Sequence, residues 1–315
     1  MKLKKPKFWD LKKPNLLSYF LLPFTIPLIV NNILINLGAK TKRTEIKSIC
    51  VGNIYIGGTG KTPTAIKLYE ILKKLDYNIC VGKKFYIHQK DEQILLRNKT
   101  NLYLGKTRKK IIENAIDENN KIIIFDDGLQ ERKIDYDLKL VCFDVKTWIG
   151  NSYLIPSGPL REKINSLKKY DAVILKQIQK SNYEIEIINK IREIDNKIKI
   201  FFSFYLPKNL KNFDLSKKYL IFSGIGDSNS FKEILIKYNF NIIDELIFPD
   251  HYDYNQKDVD SIIEKANHYD AEIITTEKDF VKISKLNLTK IGFLELNLEI
   301  KDETDLITFI ESKIK

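Results

Sequence analysis

The chain has 315 residues, 43% of them hydrophobic and 30% charged, which is enough for one large or two ordinary domains with a real core. Its formal net charge is +12, a surplus that attracts phosphate on nucleic acid, lipid head groups or nucleotides, or that gives no more than a soluble basic surface. Cys50, Cys80 and Cys142 each sit in a β-like apolar run with no metal-type spacing, which argues against a structural zinc or a catalytic cysteine and for buried thiols in a reducing compartment.

The chain opens with "MKLKKPKFWDLKKPN", where six lysines flank Phe8 and Trp9. No charge follows from Leu16 to Leu37, and Lys40, Lys42 and Arg43 come next. As one helix this apolar span would be about 33 Å long, just enough to cross a bilayer. Pro23 and Pro27 interrupt it, however, and Asn31, Asn32 and Asn36 are polar. Lysines at both ends give no clear crossing orientation, and no small-x-small site follows, so cleavage as a signal peptide is not expected. A helical hairpin, or a helix lying in the interface with its basic flanks on anionic head groups, fits better than a crossing.

After Lys47 short β-like runs alternate with helical segments. "SICVGN" reads as a strand and "TPTAIKLYEILKKL" as an amphipathic helix with Pro63 in its first turn. "YNICVG", "KIIIFDDG", "LKLVCFD" and "YDAVILKQ" read as further strands, and "TRKKIIENAID" as a helix. This grammar predicts an α/β fold with a P-loop NTPase-like parallel sheet flanked by helices. Polar, turn-rich pieces surround an extended run near residues 201–218, and from Tyr219 a second α/β series begins with "YLIFSGIGD". The expected division is a membrane-associating segment at 1–43, a P-loop domain at 44–200, a linker at 201–218 and a smaller C-terminal lobe at 219–315.

In open α/β sheets ligands gather where strands end and helices begin. Tyr55, Ile56, Gly57, Gly58, Thr59, Gly60, Lys61 and Thr62 occupy such a place and read as an ATP-binding loop, although Tyr55 stands where the usual pattern has its first glycine. The small residues let backbone N–H groups approach an anion, and the following helix adds its positive end. Lys61 would neutralise the β- and γ-phosphates, and Thr62 would ligate Mg²⁺. Asp126 and Asp127 end a buried strand, where carboxylates need a positive partner, and a metal ion is a natural one. His88, Asp91 and Glu92 precede a helical pattern, with Asp91 a candidate N-cap and His88 a loop residue. Asp250, His251 and Asp253 follow another strand, and a His–Asp pair there could take a proton from a hydroxyl acceptor.

Seven segments then occur in a fixed order: "VGNIYIGGTGKTPT", "FDDGLQ", "LIPSGPLRE", "DAVILKQ", "FSGIGD", "FPDHYDY" and "TTEKD". Together they resemble the tetraacyldisaccharide 4′-kinase family of the lipid A pathway over nearly the whole chain. That family's loop also lacks the first glycine. The resemblance implies ATP- and Mg²⁺-dependent phosphorylation of the 4′-hydroxyl of a tetraacylated glucosamine disaccharide 1-phosphate. The implied setting is the cytoplasmic face of the bacterial inner membrane, peripheral or monotopic. A nucleic acid is not expected as partner, because beyond the charge no binding motif or interleaved aromatic-basic patch supports one. The resemblance makes Asp91 and His251 a catalytic dyad and places Asp126 and Asp127 near metal and nucleotide. It also puts Arg161, with Glu92 more loosely, at the substrate. Departures from the family pattern are local: Lys90 and Gln93 flank the Asp91–Glu92 pair in place of glycine and proline, Glu131 replaces a histidine, and "KKFYIHQ" replaces an arginine- and glycine-rich segment. A membrane-associated switch ATPase is the alternative reading, although Ile56 stands where those proteins carry their signature lysine.

Overall fold

The computed structural model describes residues 5–38, 41–131, 133–178, 183–284, 286 and 291–315, with backbone alone at 35–38. Lys2, Lys4 and Lys40 of the basic flanks lie outside the described residues. The chain forms two compact units. One comprises Lys5–Phe85, Lys99–Phe204 and Glu299–Lys315; the described part of the other comprises Tyr86–Asn98 and Tyr205–Leu298. Tyr86–Asn98, which the sequence pattern put in the 44–200 region, thus groups with the C-terminal residues, where Asp91 finds its partners.

The larger unit is built on an eight-stranded sheet. Across the sheet the strands run Leu296–Ile300, Lys199–Pro207, Ala172–Lys176, Leu138–Asp144, Lys47–Gly52, Ile122–Asp126, Ile79–Lys84 and Leu102–Gly105. From Lys199–Pro207 to Leu102–Gly105 every pairing is parallel. Central strands buried on both faces read as unbroken apolar runs rather than alternating ones, and Ile122–Asp126 and Ala172–Lys176 are buried at every position. The run near residue 201, expected to be a linker, extends the sheet as the strand Lys199–Pro207, because its alternating Phe201 and Ser203 turn inward. Helices Lys61–Lys74 and Arg108–Asp117 pack on the strands through Ala65, Leu68, Ile71, Leu72, Ile111 and Ala115, all buried. Cys50, Cys80 and Cys142 are free thiols within this core.

The smaller unit carries a four-stranded parallel sheet in the order Asn241–Ile247, Lys218–Ser223, Glu272–Thr276, Ile291–Leu294. Helix Gln256–His268 is closed at its start by a capping box between Asn255 and Asp258, and it buries Val259, Ile262 and Ala266. A core of Leu220, Phe222, Tyr254 and Ile273 lies beneath it.

The N-terminal segment of the larger unit is helical over Leu16–Leu21, Leu22–Thr25 as a 3₁₀ turn, and Ile26–Gly38. Pro23 and Pro27 each fall at the start of one of these pieces, where a missing N–H costs little. The orientation is inverted relative to a soluble helix. Leu16, Phe20 and Phe24 are 89%, 70% and 61% exposed, whereas Ser18 and Thr25 are 0% and 5% exposed. The polar side bonds inward: Asn151 Nδ2 donates to Ser18 Oγ at 2.9 Å, and Asn32 Nδ2 donates to the Arg161 carbonyl at 3.2 Å.

Candidate active site

In the larger unit the strand Lys47–Gly52 leads into the glycine loop, and the helix Lys61–Lys74 leaves it. Gly57 and Gly60 have φ of 139° and 84°, conformations that side chains rarely adopt, so the two glycines set the path of the loop. Gly60 is the helix N-cap and offers no side chain, which leaves the first-turn amides without a side-chain cap at the helix's positive end. The segment that carries Arg161 is bonded to the loop through the backbone. Ile56 N–H donates to the Pro159 carbonyl at 2.9 Å, and Arg161 N–H donates to the Ile54 carbonyl at 2.7 Å. Tyr55, at the position of the absent glycine, is buried; its hydroxyl bonds Asp10 and accepts from Lys5 Nζ at 3.0 Å. Asn53 Nδ2 donates to Thr59 Oγ1 at 3.0 Å, and Lys176 Nζ donates to the Gly58 carbonyl at 3.3 Å while pairing with Asp144 at 2.6 Å.

The strand Ile122–Asp126 runs beside Lys47–Gly52 and brings Asp126 to the helix start. Thr62 Oγ1 donates to Asp126 Oδ2 at 2.9 Å, and Lys83 Nζ donates to the same oxygen at 2.7 Å. Asp126 Oδ1 is buried and has no hydrogen-bond partner among the described residues. An orphaned buried carboxylate oxygen next to a threonine hydroxyl is a hard-oxygen pair that fits a small divalent cation completed by phosphate oxygens and water. Among the described residues no group of three or more His, Cys, Asp or Glu side chains could hold a metal ion, so a cation here would depend on such outside ligands. Asp127 is oriented differently. It has φ of 63°, its N–H donates to the Val51 carbonyl, and its Oδ1 accepts from Arg161 Nη1 at 3.4 Å. Arg161 also reaches Gln130 Oε1 at 3.3 Å, and buried Glu162 accepts from Gln130 and Tyr170.

The smaller unit brings together Asp91, Glu92 and His251. Asp91 lies in the first turn of the helix Lys90–Lys99, not before it, and its Oδ1 accepts the Glu92 N–H at 2.9 Å. His251, at φ of 57° after the strand Asn241–Ile247, holds Nδ1 at 2.9 Å from both Asp91 oxygens. His251 Nε2 is 3.9 Å from Glu92 and 3.8 Å from Asp250. Burial acts to raise the Asp91 pKa, but the His251 hydrogen bond and the charges of Lys278 and Lys282 outweigh it and hold the carboxyl at about 2. Burial likewise opposes charge on Lys278, yet Glu92, Asp250, Asp91 and Asp279 push its pKa up. His88 sits in an exposed 3₁₀ turn and takes no part in this group. Lys83, Lys282 and the Asp10–Tyr55 contact carry no sequence signal; each joins residues far apart in the chain.

A parallel sheet flanked by helices, with a glycine loop, a Lys-Thr pair at a helix start and an adjoining strand-end aspartate, defines the class: an α/β protein. A sequence model described as tetraacyldisaccharide-1-P 4′-kinase matches residues 17–86 and 87–315. The chain therefore belongs to the tetraacyldisaccharide-1-P 4′-kinase family. It is 47% identical over 308 residues to tetraacyldisaccharide 4′-kinase of Pelagibacter ubique (strain HTCC1062), covering 97% of this chain and 96% of the relative. It is 33% identical over 317 residues to the protein of that name from Rickettsia conorii, covering 95% of each. Among solved structures, LpxK from Aquifex aeolicus, crystallised in an "apo" form in complex with ATP, superposes with a TM-score of 0.71 at 23% identity, covering 95% of this chain and 100% of that one. That likeness establishes the fold over the chain's length.

Proposed function

We propose that the protein transfers the γ-phosphoryl group of ATP to the 4′-hydroxyl of a tetraacylated glucosamine disaccharide 1-phosphate, a step of lipid A biosynthesis. The named relatives support the reaction, and the observation that carries the chemistry is the Asp91–His251 contact. Two residues 160 positions apart in sequence meet at 2.9 Å as a carboxylate–imidazole pair suited to taking a hydroxyl proton. The backbone from Gly57 to Gly60, the uncapped first-turn amides and Lys61 cradle the β- and γ-phosphates. Thr62 and Asp126 are the residues that would hold Mg²⁺, which when bound neutralises charge on the phosphates. Asp127 is turned toward Arg161 instead, and we place that pair at the acceptor or its phosphate. Asp91 and His251 together accept the proton of the sugar hydroxyl as it attacks, with Glu92 beside them. Positioning and charge neutralisation supply most of the acceleration in such reactions.

The acceptor's acyl chains keep it in a bilayer, so the enzyme works at the surface. We place it peripherally or monotopically on the cytoplasmic face of the bacterial inner membrane. The outward Leu16, Phe20 and Phe24 and the inward Ser18 and Thr25 support that reading, since such a helix gains by sinking its exposed side into lipid. Substitution tests the residue roles. Lys61→Ala and Asp91→Ala are expected to lose lipid phosphorylation while still sedimenting with anionic vesicles. Wild-type-like turnover in either variant would refute its assigned role.

A further inference from the structure

The helix Glu277–Ile283 carries Lys278 and Lys282 one turn apart, on the same face. Lys282 Nζ is 3.4 Å from Asp91 Oδ2, and Lys278 Nζ is 3.6 Å from the same oxygen. Neither ammonium is loosely placed. Lys278 also lies 3.3 Å from Glu92 Oε1 and 3.6 Å from Asp250 Oδ1. Lys282 pairs with Asp279 Oδ1 at 2.8 Å and donates to the Gly224 carbonyl at 3.2 Å. Asp279 is itself fully buried and fixed. Its Oδ2 accepts from Gly224 N–H at 2.9 Å and Thr276 Oγ1 at 2.8 Å, and its Oδ1 accepts from Tyr254 Oη at 3.2 Å. The strand end at Thr276, the Gly224 turn and Asp279 thus aim two cations at one carboxylate oxygen, while His251 meets both oxygens.

We infer that Lys278 and Lys282 are positioning residues for phosphoryl transfer, holding Asp91 ionised and its oxygens set against His251 Nδ1. The inference rests on the reading of Asp91 and His251 as the proton-accepting pair. A buried carboxylate left without cations drifts toward its neutral form, and a neutral Asp91 could neither orient the imidazole nor share its proton. The charged groups around Asp91 are Glu92 on its own helix, Asp250 and His251 from the loop after Asn241–Ile247, and Lys278, Asp279 and Lys282 from the helix Glu277–Ile283. Only the two lysines carry a permanent positive charge among them. Removing either raises the pKa of Asp91, so the ionised fraction falls first at low pH.

The test is the pH dependence of kcat in the full-length enzyme with ATP, Mg²⁺ and the disaccharide lipid, for Lys278→Met, Lys282→Met, Lys278→Arg and Lys282→Arg. The Met variants are expected to lose at least about tenfold in kcat, in line with the usual scale of general acid–base assistance, with KM for ATP unchanged. Their acidic limb moves to higher pH, and the Arg variants return it toward wild type. A Met variant with the wild-type limb and a uniform, pH-independent loss overturns the inference, as does failure of Arg to restore the limb. If a Met variant does not fold, Gln at the same position is measured, and an unmoved limb there is equally fatal. Asp91→Asn is assayed alongside: if it stays active, the proton-acceptor reading fails; if it is dead while the lysine variants keep the wild-type limb, only the lysine inference fails.

Discussion

Lys83 and Asp126 form an ion pair with both side chains out of water, one from the strand Ile79–Lys84 and the other from Ile122–Asp126. Removing one member of such a pair strands the other charge, so Lys83→Met is expected to destabilise the fold by about 3–5 kcal/mol, read as a lowered denaturant midpoint. An unchanged midpoint would mean that water reaches Asp126. Asp91 makes a second prediction at this scale. Its pKa is depressed from 3.8 to about 2, so the stability it contributes is fully present above its ordinary value and is lost as pH falls through the interval down to about 2. The stability difference between wild type and Asp91→Asn should therefore shrink across that acid interval, and a constant difference would contradict the depressed pKa. Residues such as these were the least legible in the sequence. Asp126 was readable because a carboxylate ending "KIIIF" is out of place, but nothing in the sequence marks Lys83 as its partner, which lies 43 positions away. The Asp91–His251 pairing was legible only through resemblance, because a histidine beside aspartates has many bland explanations and no spacing rule links residues 160 apart.

At the scale of elements, the glycine loop and the N-terminal helix are the two that depart from soluble-protein habit. Gly60 caps the helix Lys61–Lys74 at φ of 84°, and a side chain there costs roughly 1–2 kcal/mol in a left-handed conformation. Gly60→Ala is thus expected to weaken nucleotide binding in calorimetry, because the loop relieves strain by turning its amides away from the phosphates. Unaltered affinity would show that the loop tolerates the left-handed alanine. The N-terminal helix makes an opposite kind of claim, since its exposed apolar side is predicted to be covered by lipid. Phe20→Glu with Phe24→Glu should reduce sedimentation with anionic vesicles while leaving the thermal midpoint within a few degrees of wild type; undiminished sedimentation would locate the lipid contact elsewhere. Strands such as "AVILK" and "KIIIFD" were legible because burial on both faces writes an unbroken apolar run. The strand Lys199–Pro207 was not: its alternating pattern, flanked by lysines and asparagines, resembles a linker until a neighbouring strand pairs with it. Nor could the sequence show which side of the N-terminal helix faces inward, because the usual rule turns its polar residues to water and here Ser18 and Thr25 turn to protein.

For the whole molecule, the proposed function gives a surplus of +12 charges and an exposed apolar helix one shared role, docking on an anionic surface that holds an acylated substrate. Basic residues near such a surface contribute about 1 kcal/mol each and are screened within a Debye length, so vesicle association should weaken steeply between low and physiological salt but not vanish, the helix supplying a salt-independent part. The most direct measurement of the central claim uses the purified protein, ATP, Mg²⁺ and the tetraacylated disaccharide 1-phosphate in mixed micelles, with the product followed by mass spectrometry and phosphorus NMR. One added phosphate, located on the 4′-oxygen and formed in step with ADP, is the predicted result. ATP hydrolysis that proceeds at the same rate without the lipid, or a phosphate added at any other position, would contradict the account.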